Sequence, residues 1–487
     1  MKYLILIMMV CGLAVAQPNT FEKIYGAGGY DGFADFIETT NNCYLILGNT
    51  ENYGAQSSDI LLFKIDKYGT PIWKKLIGNN GVENAKQIIK LNNSYGILAQ
   101  TNSNATADYN IIYYNIDTLG NIRYSKIIDS GSWDYAEAIS LNPTDSTLLI
   151  SGSYDNDTTG IKSPSLHIIN TDGTVIQSKY FANNYNWYLS GLIKGNTNKY
   201  YATGTTYQTD TLGNIALATI TVLTNDINVS LSEFVDTNKQ TGSCISRFED
   251  GSLALGATFE INDTITCLKV NKVDTNGVVI WHYEGFVNVC VTGNNAVNSI
   301  VILGDNSCAF VGSIKSLNTP CTNIGNGGDE VLLFYSDANG NYSFNKSYGG
   351  IGKDFAKKAI KTKDGALLLV GETNSFGNGL NDIYLIKSDT IHNTLNPTTQ
   401  VVDNLLSQKE IVKSNNSIQV FNHLICINNL ATINTSYKIF DTQGRLIKFG
   451  LLAQSNNLIE IENLINGVYI FKLESINESS YLKFTKQ

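Results

Sequence analysis

The sequence predicts an all-β fold, a seven-bladed β-propeller closed by an N-terminal strand and followed by a small C-terminal β-sandwich. The first observation behind this is a repeat: an apolar run that ends in a small residue recurs about every fifty residues, at Gly48, Ala99, Gly152, Gly204, Gly256, Gly312 and Gly371, a period that belongs to repeat architectures. The second is the content of each repeat, four short apolar segments separated by Gly, Asn and Asp turns, which is the make-up of a propeller blade. The third is that the series opens with a strand lacking a blade and ends with a blade lacking a strand.

The 487-residue chain begins with Lys2, an apolar run from Leu4 to Val15 and the small-x-small site Ala14-Val15-Ala16. This reads as a signal peptide over residues 1–16, too short for the roughly 20 apolar residues that cross a bilayer. Phe21-Glu22-Lys23-Ile24-Tyr25-Gly26 matches Phe344-Asn345-Lys346-Ser347-Tyr348-Gly349, the fourth strand of a later repeat, yet has no first three strands before it. The last repeat, ending at Ile383 to Lys387, has no fourth strand after it. Pairing the two ends closes the ring and removes the edges that an open array exposes.

The strands of each blade are called a to d, from the axis outward. The first complete set is Ala34 to Ile37, Cys43 to Gly48, Asp59 to Asp66 and Pro71 to Lys74. Ala34, Ala85, Ala136 and Ala359 are expected to open strand a, nearest the axis, where blades converge and small side chains fit. The c-to-d turns repeat as Asp66 to Gly69, Asp117 to Gly120, Asp274 to Gly277 and Asp337 to Gly340. Asp bonds the turn backbone and Gly supplies positive φ, so these residues are fold punctuation. The sixth blade carries an insertion from Ser316 to Asp329. The propeller is expected over 17–390, a linker over 391–412, and the second domain over 413–487, with short strands such as Tyr437 to Phe440 and Val468 to Leu473 around the turns Asp441 to Gly444 and Asn466-Gly467.

Composition narrows the chemistry. A net charge of −9 excludes a phosphate-backbone footprint, so no nucleic-acid partner is expected. Arg occurs only at 123, 247 and 445, which disfavours anion clamps. The four His (His167, His282, His392 and His423) have no metal spacing and no CxxC is present, so neither metal nor cofactor is expected. Cys244 with Cys267, or two of Cys290, Cys308 and Cys321, fall within single repeats and can bridge in an oxidising compartment. Gly349 to Lys353 looks like a phosphate loop, but Asp354 stands where Ser or Thr is needed, so it is a blade connection.

What remains is the end of the ring that carries the d-to-a and b-to-c loops. Asp31, Glu83, Asp134 and Asp354 occupy equivalent d-to-a positions, and Tyr30, Trp133, Tyr135, Trp187, Tyr154 and Tyr207 place aromatic rings nearby. Such an end can bind a glycan by stacking or a cationic partner by charge. The competing reading is that the acids cap strand a and the aromatics pack between blades. The resulting expectation is a non-catalytic secreted or cell-surface binding protein for a glycan or a surface protein. The alternatives are a polysaccharide hydrolase with paired carboxylates in the funnel and a structural surface component.

Gly371-Glu372-Thr373, Asp59 to Asp66 and Tyr348-Gly349-Gly350 resemble the blades of secreted seven-bladed propellers of the Bacteroidetes type. The resemblance covers residues 21–390 and implies a fold and a surface location, not an activity. The segments around Asp66 to Trp73 and Asp274 to Trp281 are also similar to c-to-d turns of quinoprotein dehydrogenases and sialidases. The arginine triad and the adjacent cysteines those enzymes require are missing. Asp441, Gly444 and Arg445, then Asn466, Gly467 and Tyr469, then the tail from Lys483 through Lys486 to Gln487 resemble a type A sorting domain of type IX secretion. The usual Pro-Asn-Pro entry is missing, with Phe421-Asn422-His423 in its place. That resemblance implies a receptor-read address, the type IX machinery as partner, and a secreted or surface location.

Overall fold

The computed structural model describes residues 20–389 except 54, 56, 104–107, 156–161, 182–186, 197, 210–211, 237, 263–264, 285–290, 293–294, 320–321 and 378. It also describes 398–401, 417–420, 424–428, 435–441, 445–452, 457–461, 463–474 and 479–486. The predicted leader, most of the predicted linker and Gly444 lie outside these residues.

Seven antiparallel sheets follow one another along the chain. Blade 1 is Asp31–Glu38, Tyr44–Thr50, Asp59–Ile65 and Pro71–Ile77, and blade 2 is Glu83–Lys90, Tyr95–Thr101, Asn110–Ile116 and Ile122–Ile128. Blade 3 is Trp133–Leu141, Leu148–Asp155, Lys162–Ile169 and Val175–Tyr180, and blade 4 is Trp187–Lys194, Lys199–Thr209, Leu212–Val222 and Ile227–Phe234. Blade 5 is Gln240–Arg247, Leu253–Asn262, Ile265–Val273 and Val279–Glu284, and blade 6 is Ala296–Ile302, Cys308–Thr319, Thr322–Ser336 and Tyr342–Tyr348. Blade 7 takes Asp354–Lys361, Leu367–Thr373 and Asp382–Ser388 from the end of the repeat and Phe21–Gly26 from its beginning. The closing strand runs antiparallel to Asp382–Ser388 with Phe21 opposite Lys387 and Tyr25 opposite Ile383. Phe21, Ile24 and Tyr25 are buried there, so closure rests on apolar burial as well as on the ladder.

Two features differ from the sequence reading. Thr398–Val401, expected in a linker, forms a fifth strand of blade 7, parallel to Phe21–Gly26 with Lys23 opposite Thr398. The closing strand is therefore held between two segments that follow it by more than 350 residues. The insertion of blade 6 lengthens strands b and c into one hairpin, paired from Cys308 opposite Ser336 to Thr319 opposite Thr322 across one irregularity.

Strand a of every blade contains a bulge. The inserted residues are Ala34, Lys86, Glu137, Ser190, Ser243, Asn298 and Lys357. Bulges disrupt the ladder and release backbone groups that must find other partners. Here the neighbouring blade supplies them. Ser190 Oγ donates to the Gly242 carbonyl at 2.7 Å, Asn298 Nδ2 to Ala356 at 2.8 Å and Lys357 Nζ to Phe33 at 3.0 Å, and Ser243 Oγ donates to Val297 in the same way. In return Phe33, Ala85 and Gly242 donate their N–H to Glu372, Asn49 and Thr205 of the preceding blade. The bulge also corrects the alanine alignment: Ala85, Ala136 and Ala356 share the position before it, whereas Ala34 is the bulge residue and Ala359 lies beyond it.

The c-to-d turns form as predicted. Asp66 accepts from the N–H of Tyr68 and Thr70, both at 2.8 Å, and Asp337 accepts from Asn339 and Asn341 at 2.9 and 2.8 Å. Gly340 has φ of +83° and packs against Trp281, whose Nε1 donates to Ala338 at 3.1 Å. The turn glycine is thus fixed twice, by its backbone and by the d strand of the preceding blade.

The cysteines resolve in part. Cys267 is disulfide-bonded. Cys244, buried Cys43 and buried Cys308 are not disulfide-bonded, which rules out the Cys244–Cys267 bridge and any bridge using Cys308.

The C-terminal domain has a three-stranded sheet (Ser417–Val420, Leu424–Asn428, Asn457–Glu460) and a four-stranded sheet ordered Leu446–Leu452, Thr435–Asp441, Gly467–Glu474, Ser479–Lys486. Ile425, Ile427 and Ile459 of the first join Ile439, Tyr469, Phe471 and Phe484 of the second in one apolar core.

Candidate functional site

In blade 1 Asp31 pairs with Thr50 and Thr50 with Asp59, so the start of strand a, the end of b and the start of c share one end of the ring. The predicted site residues lie at this end, and the structure separates them into two groups.

The acids are buried. Asp31, Glu83, Asp134 and Asp354 are fully withdrawn from solvent; Asp31, Glu83 and Asp354 stand first in their strands and Asp134 second. Asp31 Oδ1 accepts from Thr50 Oγ1 at 2.5 Å, while Oδ2 accepts from Asn52 Nδ2 at 2.9 Å and Ala27 N–H at 2.8 Å. Glu83 accepts from Thr101 Oγ1 at 2.8 Å and Asn79 N–H at 3.1 Å. Asp354 accepts from Thr373 Oγ1, from Gly350 N–H at 2.8 Å and from Ser375 Oγ at 2.5 Å. Asp134 Oδ2 accepts from Ser130 N–H and Oγ at 2.7 and 3.0 Å. A carboxylate that satisfies the turn in front of its own strand is a cap. The expected acidic ring at the mouth is therefore corrected to four internal caps.

These caps also meet other acids between blades. A side chain at Gly78 would collide with Asp59 of blade 1 and Glu83 of blade 2, and one at Gly349 would collide with Glu330 of blade 6 and Asp354 of blade 7. Asp59 Oδ1 is buried with no hydrogen-bond partner, and burial, reinforced by Glu83, raises the Asp59 pKa. Asp134 Oδ1 is likewise buried without a partner, and burial pushes its carboxyl up to about 6 against the lowering effect of Ser130.

The aromatics divide. Trp187 is buried against Phe181 with ring centroids 5.3 Å apart. Tyr154 donates to the Phe181 carbonyl at 2.9 Å, and the Tyr207 side chain lies outside the described residues. Tyr30 is half-buried and donates to Glu372 Oε2 at 3.4 Å; burial, with Glu372 beside it, pushes its hydroxyl up to about 12. Trp133 is 45% exposed and sits edge-on to Tyr109 at 5.5 Å. Two residues along the same strand, Tyr135 is half-buried under the Lys162 ammonium, 3.6 Å from its ring centroid. Asp129 and Ser130 are exposed on the loop that leads into Trp133.

Among the described residues no group of three or more His, Cys, Asp or Glu is arranged to hold a metal ion. His167, buried in blade 3, lies between Ser178 Oγ (2.9 Å) and Ser165 Oγ (3.0 Å), and burial pushes its imidazole down to about 4. It is a neutral core residue.

The sorting residues build turns. Asp441 accepts from Arg445 N–H at 2.9 Å and pairs with Arg445 Nε at 2.7 Å. Asn466 is exposed in the turn before Gly467, which begins a strand, and buried Tyr469 donates to the Ile465 carbonyl at 2.7 Å. Lys486 is buried at the end of the last strand.

Comparison with known proteins adds one family match and several distant structures. Residues 414–487 match the family described as the secretion system C-terminal sorting domain. No curated protein matches the chain. Among solved structures, the chain is similar to the acylaminoacyl peptidase of Pyrococcus horikoshii at 10% identity and TM-score 0.43, covering 83% of this chain and 59% of the peptidase. The β-propeller domain of the Trilobed protease from Pyrococcus furiosus matches at 11% identity and TM-score 0.41, covering 74% of this chain and all of that domain. PorZ, a surface component of the type IX secretion system of Porphyromonas gingivalis, matches at 9% identity and TM-score 0.32, covering 93% and 81%. The seven consecutive blade sheets and the match over residues 414–487 make the chain a seven-bladed β-propeller with a C-terminal sorting domain, exported by type IX secretion to the cell surface or the extracellular space.

Proposed function

We propose that the propeller is a non-catalytic binding module whose ligand is a neutral glycan stacked on Trp133. The observation that carries the reading is the exposed Trp133 ring, held edge-on by Tyr109, with Tyr135 and the Lys162 ammonium on the same end of blade 3. An exposed indole offers a flat apolar surface to a sugar ring, while nearby hydroxyls and carboxylates hydrogen-bond its substituents. The exposed Asp129 and the net charge of −9 disfavour anionic ligands. Withdrawal of the four acids into caps speaks against the hydrolase alternative, because glycoside hydrolysis needs two carboxyl groups flanking a reachable bond.

The test is a glycan array probed with the secreted full chain and with Trp133→Ala. Binding to neutral glycans by the wild type and its loss in the variant support the reading. Equal binding by both removes Trp133 from the site. Binding to surface proteins alone, or turnover of a polysaccharide, replaces the reading with another class.

A further inference from the structure

Cys267 is buried and disulfide-bonded near the start of strand c of blade 5. Cys43, Cys244 and Cys308 carry no disulfide, which leaves Cys290, Cys321 and Cys426 in the sequence after the predicted leader. Register separates these three. Past strand d, Val279–Glu284, the chain returns to the same edge of Ile265–Val273 as the short strand Val291–Thr292, antiparallel, with Thr266 opposite Val291. One step forward on one strand of an antiparallel pair is one step back on the other, so the position opposite Cys267 is 290. Residues directly opposite in such a pair have Cα atoms about 4.5 to 5.5 Å apart, inside the range that a disulfide spans. Cys290 itself lies outside the described residues. Cys426 belongs to the strand Leu424–Asn428 of the C-terminal domain, and Cys321 falls between paired Thr319 and Thr322 at the tip of the blade 6 hairpin. That tip begins roughly 13 Å of extended strand beyond Lys315, the residue whose N–H reaches Asn295 beside the blade 5 edge.

We propose that Cys267 is joined to Cys290, and that this bond does at the junction of blades 5 and 6 what the buried acids do at other junctions. Blades 1, 2, 3 and 7 are entered through short connections, residues 27–30, 78–82, 129–132 and 349–353, each held by the carboxylate of Asp31, Glu83, Asp134 or Asp354. Blade 6 is entered through the longest connection of the ring, residues 285–295, and its strand a opens on Ala296. Asn295 stands before it and holds only the end of the connection. Its N–H donates to Thr266 Oγ1 and its Nδ2 to the Thr266 carbonyl, both at 2.7 Å, and its Oδ1 accepts from Lys315 N–H at 3.0 Å. A bond from Cys267, next along strand c from Thr266, fixes the middle of the same connection and removes loop freedom from the unfolded chain. Its formation breaks two S–H bonds and makes one S–S bond. The two electrons and two protons pass to a thiol–disulfide oxidant of the oxidising compartment that an exported chain enters.

The experiment blocks thiols of the secreted full chain in denaturant with an alkylating reagent, digests it without reduction using trypsin and chymotrypsin together, and identifies cross-linked peptides by mass spectrometry. The expected result is one peptide pair joining Cys267 to Cys290, with the alkyl label on Cys43, Cys244 and Cys308. A bond from Cys267 to Cys321, to Cys426 or to a second copy overturns the pairing, as does an alkylated Cys267. Melting temperature tests the role. The wild type should melt about 5 °C lower in reductant, and Cys267→Ser with Cys290→Ser should melt at that lower temperature with or without reductant. A wild type that melts alike in both conditions overturns the role, and this measurement stands even where the double variant does not fold.

Discussion

Two buried titrating groups, His167 and Asp134, give opposite and measurable pH signatures. The His167 imidazole is held neutral between two hydroxyls at about 4. A depressed imidazole contributes stability that is complete above the unfolded value near 6.5 and is lost as pH falls through 4. The loss amounts to about 3 kcal/mol at 1.36 kcal/mol per pH unit. His167→Gln, which keeps hydrogen bonding without a charge, should flatten the acid limb of a melting-temperature profile between pH 7 and 4. Asp134 has a raised carboxyl, so its contribution is complete below the unfolded value near 3.8 and is lost as pH rises through about 6. Asp134→Asn should therefore stabilise at pH 7, by about 1 kcal/mol after allowing for partial solvent screening, and have no effect at pH 4. The sequence did not reveal these environments. The burial of Asp134 depends on turn and strand partners, and a lone His in a strand carries no mark of its depth.

At the scale of elements, the c-to-d turns were legible because their chemistry is local. Asp66, Asp117, Asp274 and Asp337 bond residues two and four positions on. Gly120 has φ of +82° and lies against Trp73 of the preceding blade. Gly120→Ala should cost about 1–2 kcal/mol from the left-handed backbone alone, read as a lower denaturation midpoint. The strand-a bulges were not legible, because Ala34, Lys86, Glu137, Ser190, Ser243, Asn298 and Lys357 share no chemistry. What they share is a place beside the next blade, which a single strand's pattern does not record. The choice between a ring of acids and capping acids was not legible for the same reason: Asp31 and Thr50 meet across strands a and b, not along the chain.

For the whole molecule, closure was readable because the lone opening strand Phe21 to Gly26 matches the blade 6 d strand Phe344 to Gly349, while the last repeat lacks a d strand of its own. The strand Thr398–Val401 that covers the closure was not, since four residues of parallel pairing leave no periodic trace. Export depends on the other end. Deleting Leu464 to Gln487 removes the two adjoining strands Gly467–Glu474 and Ser479–Lys486 and should leave the protein in the periplasm, scored by fractionation.

Repeated residues hold the ring, and the proposed binding surface is the unrepeated, exposed Trp133. A single comparison measures both halves: melting temperature and glycan affinity of Asp354→Ala and Trp133→Ala beside the wild type. Asp354→Ala should melt earlier, by the several degrees that losing a buried cap implies, and bind unchanged, whereas Trp133→Ala should melt with the wild type and no longer bind. An unaltered melting temperature with lost binding in Asp354→Ala, and retained binding in Trp133→Ala, would contradict this.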